Sequence, residues 1–296
     1  MKAFFWPGLI SKMGSDEGFH LTPEVTSELF VKAGSDESVH LTPVLPGDSM
    51  PRHSSRPAAE ALTLTPIAIT RSCFRDKFGV PRQPGLTRHA RADLVIQPPF
   101  DREDAFRGLE TASHLWLTFQ FHEAVRAEWR PVVRPPRLGG NRKMGVFASR
   151  SPFRPNSLGL SVVRNQGLAR LDGQLVLRIS DHDLIDGTPI LDIKPYLPFA
   201  DSVPEATLGW ADSPPTERLE VVFLPEAEAQ LGQLSPEHYP ELRPLIEDVV
   251  GYDPRPSFRR GREEERIYGA HLYDLNVRFR FVSDHLQKRV EVLTVC

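Results

Sequence analysis

SHLWLTFQFH, residues 113–122, is the most apolar run in a chain of 296 residues, and its length decides how the rest is read. Ten residues are too few to cross a bilayer as a helix. On either side stand runs of the same kind: LTPIAIT and ADLVIQ before it, then MGVFAS, LGLSVVR, QLVLRIS and TPILDIKPY. Each is a short string of β-branched and aliphatic residues bounded by Pro, Gly or small polar residues, which argues for strands rather than helices. One helical interruption is expected over residues 101–109, where Asp101 can cap and Ala105, Phe106 and Leu109 share a face. About seven strands with so little helix between them favour an antiparallel barrel or sandwich, because parallel strands need long crossover helices.

Outside this strand-rich segment, 62–200, the texture changes twice. Residues 201–216 turn to Ser, Pro and Ala and read as a linker. Residues 217–296 read as a small α+β unit: a strand LEVVF, a helix PEAEAQLGQL, a second helix over 239–250, and two strands, AHLYDLNVRFRFV and RVEVLTV. At the other end, GSDEGFHLTP (14–23) returns as GSDESVHLTP (34–43), a repeat with too few copies to stack as a solenoid. Residues 1–61 therefore read as an appended, mobile extension. A second reading starts translation at Met50, which a peptide from residues 14–32 would exclude. His20 and His40 lack the further ligands a metal site needs.

The composition is that of an ordinary globular protein, 40% hydrophobic and 25% charged, with a formal net charge of −3. That charge offers no global attraction to nucleic acid, so any such binding needs a local basic patch. Two widely spaced cysteines, Cys73 and Cys296, form neither a disulfide framework nor a thiolate metal site, and a reducing cytoplasm is expected.

A basic patch is present. RPPRLGGNRKMGVFASRSPFRPNSLGLS (134–161) holds Arg134, Arg137, Arg142, Lys143, Arg150 and Arg154 among glycines and prolines, with no acidic residue. A second arginine-rich loop, GYDPRPSFRRGREEERIYG (251–269), contains Arg259 and Arg260 but carries its own acids. Guanidinium groups meeting phosphates, with Phe147, Phe153, Tyr252 and Phe258 as stacking faces, suit an RNA surface. The dinucleotide and P-loop fingerprints are missing, as are HExxH, GxSxG and CxxC.

SDHDLIDGTPILDIKPY (180–196) concentrates Asp181, Asp183, Asp186 and Asp192. Read as a strand, it puts Asp181 and Asp183 on one face and His182 on the other, a poor three-ligand metal site, and Asp186-Gly187 reads as an Asx turn. A carboxylate here could hold a ribose or stand near a cationic ligand. His122, closing the apolar run, reads as a packed histidine, and PRQPG (81–85) as a rigid turn able to rim a ligand.

Taken together, FGVPRQPGL, RGLETASHLW, WRPVVRPPRLGGNRKMGVFASRSPFRPNSLGLS, DLIDGTPILDIKPYLPFADS and DPRPSFRRG resemble the TrmO family of tRNA methyltransferases, in family order from about residue 65 to about 280. The resemblance implies a mainly β protein: a single-sheeted, seven-stranded antiparallel β-barrel binding S-adenosylmethionine, a small C-terminal domain, and a homodimer. It also implies methyl transfer to N6 of threonylcarbamoyladenosine beside the anticodon of a threonine tRNA, with no metal. By motif, cofactor contacts are expected at Pro81, Arg82, Gln83, Pro84 and Gly85, at His122 and Glu123, at Arg150 and Leu160, and at Asp186, Gly187, Thr188 and Pro189. Arg137, Arg142, Lys143, Arg154, Arg259 and Arg260 are expected on the RNA side. Asp253 and Arg255, in the DPRP signature, are expected to orient the modified adenosine, Arg255 by a bidentate pair with the threonyl carboxylate. The N6–H belongs to a urea-like linkage, and its proton acceptor stays open among His122, Asp192 and Tyr196.

Ser157 departs from the resembling motif, which commonly has proline there, and this is expected to loosen the turn. Three rivals differ in class. They are a non-catalytic RNA-binding barrel, a same-fold methyltransferase with another acceptor, and a magnesium-dependent nuclease or phosphatase using Asp181 to Asp192.

Overall fold

The computed structural model describes residues 61–126, 128–211, 218–255, 259, 266–283 and 288–296. The N-terminal repeat with His20 and His40, the residues Pro256, Phe258 and Arg260, and the Glu263–Glu265 run lie outside them.

The first strands are β1 (Ala68–Ser72), β2 (Arg91–Ile96) and β3 (His114–Gln120), followed by the short β4 (Val132–Val133) and β5 (Met144–Gly145). Then come β6 (Leu158–Leu171), β7 (Gln174–Ser180), β8 (Pro189–Pro195) and a single helical turn, α1 (Pro198–Asp201). The run 113–122 supplies β3. Its side chains alternate between faces as strand geometry requires, so Leu115, Leu117 and Phe119 are buried while His114, Trp116, Thr118 and Gln120 are only partly covered.

Six strands pair in the order β1-β2-β7-β6-β3-β8, all antiparallel, and close on themselves where Ala68 meets Ile190 and Ile69 meets Pro189. The core joins Leu94, Leu115, Leu117, Phe119, Val163, Leu177 and Ile190, each contributing about 1.5–3 kcal/mol of burial. Gly159 on β6 is required by this packing, because a Cβ there would stand 2.3 Å from the Phe119 ring.

The seventh strand expected from MGVFAS is not in this sheet: only Met144 and Gly145 pair, with β4, and Val146–Ala148 is already a 3₁₀ turn. The helix expected over 101–109 is two 3₁₀ turns, Glu103–Phe106 and Leu109–Thr111. Gly108, at φ 91°, separates them, and Asp101 caps neither. Ala105, Phe106 and Leu109 nevertheless share one side, lining an apolar pocket with Ile67, Ile96, Phe100 and Ile193.

The C-terminal part runs β9 (Glu220–Phe223), α2 (Pro225–Leu231), α3 (Leu242–Gly251), β10 (Ile267–Leu272), β11 (Leu275–Ser283) and β12 (Lys288–Val295). Its sheet order is β10-β11-β12-β9, with β9 parallel to β12. AHLYDLNVRFRFV is a hairpin rather than one strand: the chain reverses at Tyr273, whose φ is 57°. Leu245, Ile246 and Val249 of α3 share a core with Val277, Phe279, Val290 and Val292. Cys73, Phe74 and Ala90, from the β1–β2 connection, are buried in that same core, and Phe74 bridges to Leu272. Residues 61–296 accordingly form one compact unit.

Candidate active site

Strand direction gathers the motifs. β1, β3 and β7 run toward one end of the closed sheet and β2, β6 and β8 run away from it, so the connections 73–90, 121–157 and 181–188 all emerge together. These three loops carry PRQPG, His122-Glu123 with the basic stretch, and DGTP.

The 181–188 segment is a loop between β7 and β8. Asp181 takes φ 61°, and its carbonyl accepts the Gly85 N–H at 3.1 Å, tying PRQPG to this loop. The turn that follows is held from several sides. Asp186 N–H donates to the Phe74 carbonyl and Gly187 N–H to that of Thr70, both at 2.8 Å. Asp186 Oδ1 accepts the Ser72 N–H at 2.8 Å, and Oδ2 pairs with Arg75 at 2.5 Å. The Arg75 Nε donates to the Tyr273 carbonyl at 2.9 Å, so this clamp reaches the C-terminal hairpin. Thr188 closes the turn through its N–H and its hydroxyl, which donate to Ile185 O at 3.2 and 2.7 Å. Gly187 sits at φ 76°, the conformation glycine adopts without penalty. A Cβ there would lie 3.8 Å from His122 Nε2, which places His122 beside the turn.

Arg150 and Leu160 also meet: Arg150 Nη2 donates to the Leu160 carbonyl at 3.0 Å. The next residue, Ser161, is 1% exposed and donates its hydroxyl to Asp183 Oδ1 at 2.6 Å. The basic loop, β6 and the DGTP loop are thereby joined. Burial pushes the Asp183 carboxyl up to about 6, against the lowering effects of the Ser161 hydrogen bond and the Arg150 charge. Its neighbour His182 is fully buried edge-on to Phe74 at 5.4 Å and accepts the Leu184 N–H at Nδ1. Burial pushes this imidazole down to about 4, so it is neutral at physiological pH. Glu123 lies at the loop's start, with its carbonyl 2.6 Å and its carboxylate 3.5 Å from Lys77 Nζ.

The remaining candidates divide. Arg137, Arg142 and Lys143 are exposed on the basic loop. Arg154 is instead turned into the loop itself, donating to the carbonyls of Val146 and Ser149 at 3.2 and 2.8 Å, with Phe147 5.7 Å away. Arg126 covers Phe153 at 3.7 Å, and Trp129 and Phe147 stand 6.2 Å apart, both exposed. Ser157 takes φ 48°, which a proline ring forbids, so the turn is a different one rather than a loosened proline turn. Arg259 is half-buried beyond the DPRP signature.

Asp253 and Arg255 do reach this end, since Arg82 donates to the Arg255 carbonyl at 3.2 Å. Arg255 is only 5% exposed, and its guanidinium forks onto Asp253 at 2.9 and 2.8 Å and lies 3.7 Å over Phe281. The Nε and Nη2 edge of Arg255 thus holds Asp253. Asp192 and Tyr196 are not brought here. At about 3.3 Å per strand residue they lie roughly 10 and 23 Å along β8 from Pro189. Asp192 pairs with Lys194 there, and Tyr196 packs against Trp116 with its N–H on the His114 carbonyl.

Sequence reasoning passed over Arg75, Ser161 and the half-buried state of Asp183. The clustering of aspartates over 181–192 was the available signal, but only the loop geometry separates Asp183 from its neighbours. Among the described residues no three His, Cys, Asp or Glu side chains converge as metal ligands, and no helix is long and apolar enough to cross a membrane.

Residues 69–202 match the domain described as the tRNA-methyltransferase O N-terminal domain, and residues 216–295 match the TrmO C-terminal domain. An Escherichia coli protein named tRNA (adenine(37)-N6)-methyltransferase is 48% identical over 214 residues, covering 72% of this chain and 91% of its own length. A Pseudomonas aeruginosa protein bearing the name of an S-adenosylmethionine-dependent methyltransferase is 45% identical over 78% of this chain and 97% of its own. The crystal structure of TrmO from Pseudomonas aeruginosa superposes with a TM-score of 0.64 at 39% identity, covering 80% of this chain and 99% of that one.

Proposed function

The chain belongs to the tRNA-methyltransferase O family, and from that premise we propose that it is an S-adenosylmethionine-dependent tRNA methyltransferase acting on N6 of threonylcarbamoyladenosine, beside the anticodon of threonine tRNA. One observation carries the reading: all four groups of cofactor candidates emerge at the same end of the closed sheet, joined by the Gly85–Asp181, Gly187–His122, Arg150–Leu160 and Ser161–Asp183 contacts.

The residues there suit the cofactor. A Cβ at Gly85 (φ 79°) would meet nothing within 4 Å, which leaves the PRQPG backbone open to a ligand. Leu160 presents a carbonyl beside the Arg150 guanidinium, so a dipole for a cation and a charge for a carboxylate stand together. When bound, S-adenosylmethionine supplies a methyl group on a sulfonium that is already an activated leaving group. Pro81 to Gly85, His122, Arg150, Leu160 and Asp186 to Pro189 would hold it; Asp186, with its N–H and both oxygens engaged, acts by fixing the turn.

The tRNA side falls to the basic loop. Exposed Arg137, Arg142 and Lys143 meet phosphates, and Trp129 and Phe147 offer faces to unstacked bases. Asp253 and Arg255 act by pinning the DPRP turn against Arg82. Residues 62–200 form the cofactor-binding methyltransferase domain, and 217–296 the C-terminal domain behind it. A homodimer is supported by the exposed Leu158 and Leu160 on the outer face of β6. A threonine tRNA substrate puts the reaction in the cytoplasm.

The test is nucleoside mass spectrometry on threonine tRNA, with and without its threonylcarbamoyl group, after incubation with the protein and S-adenosylmethionine. A gain of one methyl on the modified adenosine alone is the expected result. Methylation of the unmodified transcript would identify another acceptor, and cofactor binding with no transfer to either tRNA would refute the substrate.

A further inference from the structure

We infer that Asp183 accepts the N6 proton of the acceptor adenosine, from its place where the motif loops meet and from its carboxylate being held by the Ser161 hydroxyl rather than by an ion pair. This inference rests on the methyl-transfer reading above.

The carboxylates at this end of the sheet differ in what they hold. Asp181 stands 3.6 Å from Arg164, Asp186 2.5 Å from Arg75, Asp253 2.8 Å from Arg255, and Glu123 3.5 Å from Lys77. Each is occupied by a cation, which lowers its basicity. Asp183 makes no ion pair among the described residues. Its Oδ1 takes the Ser161 hydroxyl at 2.6 Å, which fixes the direction of the carboxylate while leaving Oδ2 without a side-chain donor among the described residues. Ser161 is itself buried on β6, so the support is a strand and not a loop.

The surroundings keep this carboxylate basic and yet ionised at neutral pH. Burial raises it to about 6, with the Ser161 hydroxyl, its own backbone N–H and the Arg150 charge holding it from going higher. The other charges around it are neutralised in pairs, Arg164 with Asp181 on its own loop and Arg75 with Asp186 across the turn. His182 beside it is neutral, and His122 faces the Gly187 turn. A base poised about one pH unit below neutrality is anionic in the cell and still an effective proton acceptor.

The chemistry needs such a group. The N6 lone pair is delocalised into the urea-like linkage and regains nucleophilicity as its proton leaves. The N6–CH3 bond forms, the CH3–S bond breaks with its electron pair retained by sulfur, and the N6 proton passes to the Asp183 carboxylate. The sulfonium charge and the carboxylate charge cancel in the step, leaving a neutral thioether and a neutral Asp183 carboxylic acid, whose proton then passes to solvent.

The experiment compares the full-length wild type with Asp183→Asn and Asp183→Glu. Asparagine keeps an acceptor for Ser161 but takes no proton. Three quantities are read: single-turnover methylation of threonylcarbamoylated threonine tRNA from pH 5 to 9, S-adenosylmethionine affinity by calorimetry, and thermal melting. The expected result is a rate about 10²–10⁴-fold lower for Asp183→Asn, with cofactor affinity within about threefold of wild type. The wild-type rate should rise through about pH 6, this limb should vanish in Asp183→Asn, and Asp183→Glu should recover part of the activity.

An equal fall in cofactor affinity would make Asp183 a cofactor ligand and overturn the inference. Unchanged methylation by Asp183→Asn would overturn it in favour of His122 or solvent. A wild type that binds the cofactor but leaves this tRNA unmethylated refutes the substrate reading instead, before any variant is compared.

Discussion

A half-buried carboxylate that stays ionised at neutral pH costs stability, and Asp183 allows that cost to be measured apart from catalysis. Its folded value is raised from 3.8 to about 6 by burial. The sign follows from linkage: the fold favours the protonated form, so the contribution is fully present below pH 3.8 and is lost as pH rises through 6. At about 1.4 kcal/mol per pH unit this is an upper limit of about 3 kcal/mol at pH 7.5. Partial access of solvent to the residue reduces the expected figure to about 1–3 kcal/mol. Asp183→Asn removes the ionisation and keeps the Ser161 bond, so it should melt about 2–12 °C above wild type at pH 7.5, given about 2–4 °C per kcal/mol for a unit of this size. At pH 4.5 the folded carboxyl is protonated while the unfolded one is still largely ionised, so the advantage of Asp183→Asn should shrink to about a third of its value at pH 7.5; His182 is common to both and cancels. Calorimetric melts at the two pH values are the assay. A variant that melts below wild type at pH 7.5, or one whose advantage persists undiminished at pH 4.5, would refute the reasoning.

Arg75→Ala should weaken S-adenosylmethionine binding about 3–10-fold, because the Asp186 turn loses its clamp, while changing global stability by less than about 1 kcal/mol, since the pair is half exposed; calorimetry and urea unfolding check the two parts. Combined alanine substitution of Arg137, Arg142 and Lys143 should leave cofactor binding intact and flatten the dependence of log K for tRNA on log salt by about 0.7–0.9 for each phosphate no longer neutralised, measured by filter binding over a salt series. Ser157→Pro should destabilise the protein by about 2 kcal/mol or more, since the ring cannot take φ 48° and the N–H bond to the Arg154 carbonyl is lost; the midpoint of urea unfolding reads it.

The strands were legible because each is a short apolar run with a stop at both ends, and six of those runs do pair around one closed sheet. The misreadings share one cause, a local backbone feature with no distinctive residue to announce it. AHLYDLNVRFRFV looks continuous because its reversal uses Tyr273 at φ 57°, where a glycine or asparagine would have marked the turn. MGVFAS has strand composition, but its Val146 fills a buried position from a 3₁₀ turn and not from a ladder.

The candidate site was legible by motif more than by chemistry. Resemblance brought PRQPG, His122, Arg150, Leu160 and DGTP together, and the three-loop convergence accounts for how positions so far apart in sequence can serve one ligand. It gave no guide to which polar groups are already engaged. Arg255 suits a ligand carboxylate by residue type, yet Asp253, two positions earlier, fills its fork. Asp192 and Asp183 are alike as letters, but nine residues of turn and strand put one beside Lys194 along β8 and the other beside Ser161 at the loop end.

The β1–β2 connection explains why the cofactor end and the C-terminal sheet act as one body. One side of that connection carries PRQPG; the other contributes Cys73, Phe74 and Ala90 to the core built on α3 and β10–β12. His89 reinforces the junction with its Nδ1 2.7 Å from buried Asp248, which also holds Arg218 at 3.0 Å, and Arg82 and Arg75 reach the Arg255 and Tyr273 carbonyls. A barrel cut away after residue 202 would expose Phe74 and leave the loop that presents Pro81 to Gly85 without its packing surface. The C-terminal sheet is therefore structural support for the PRQPG loop. Its removal should weaken S-adenosylmethionine binding even when no RNA is present, a dependence that a separately folded RNA-binding appendage would not produce.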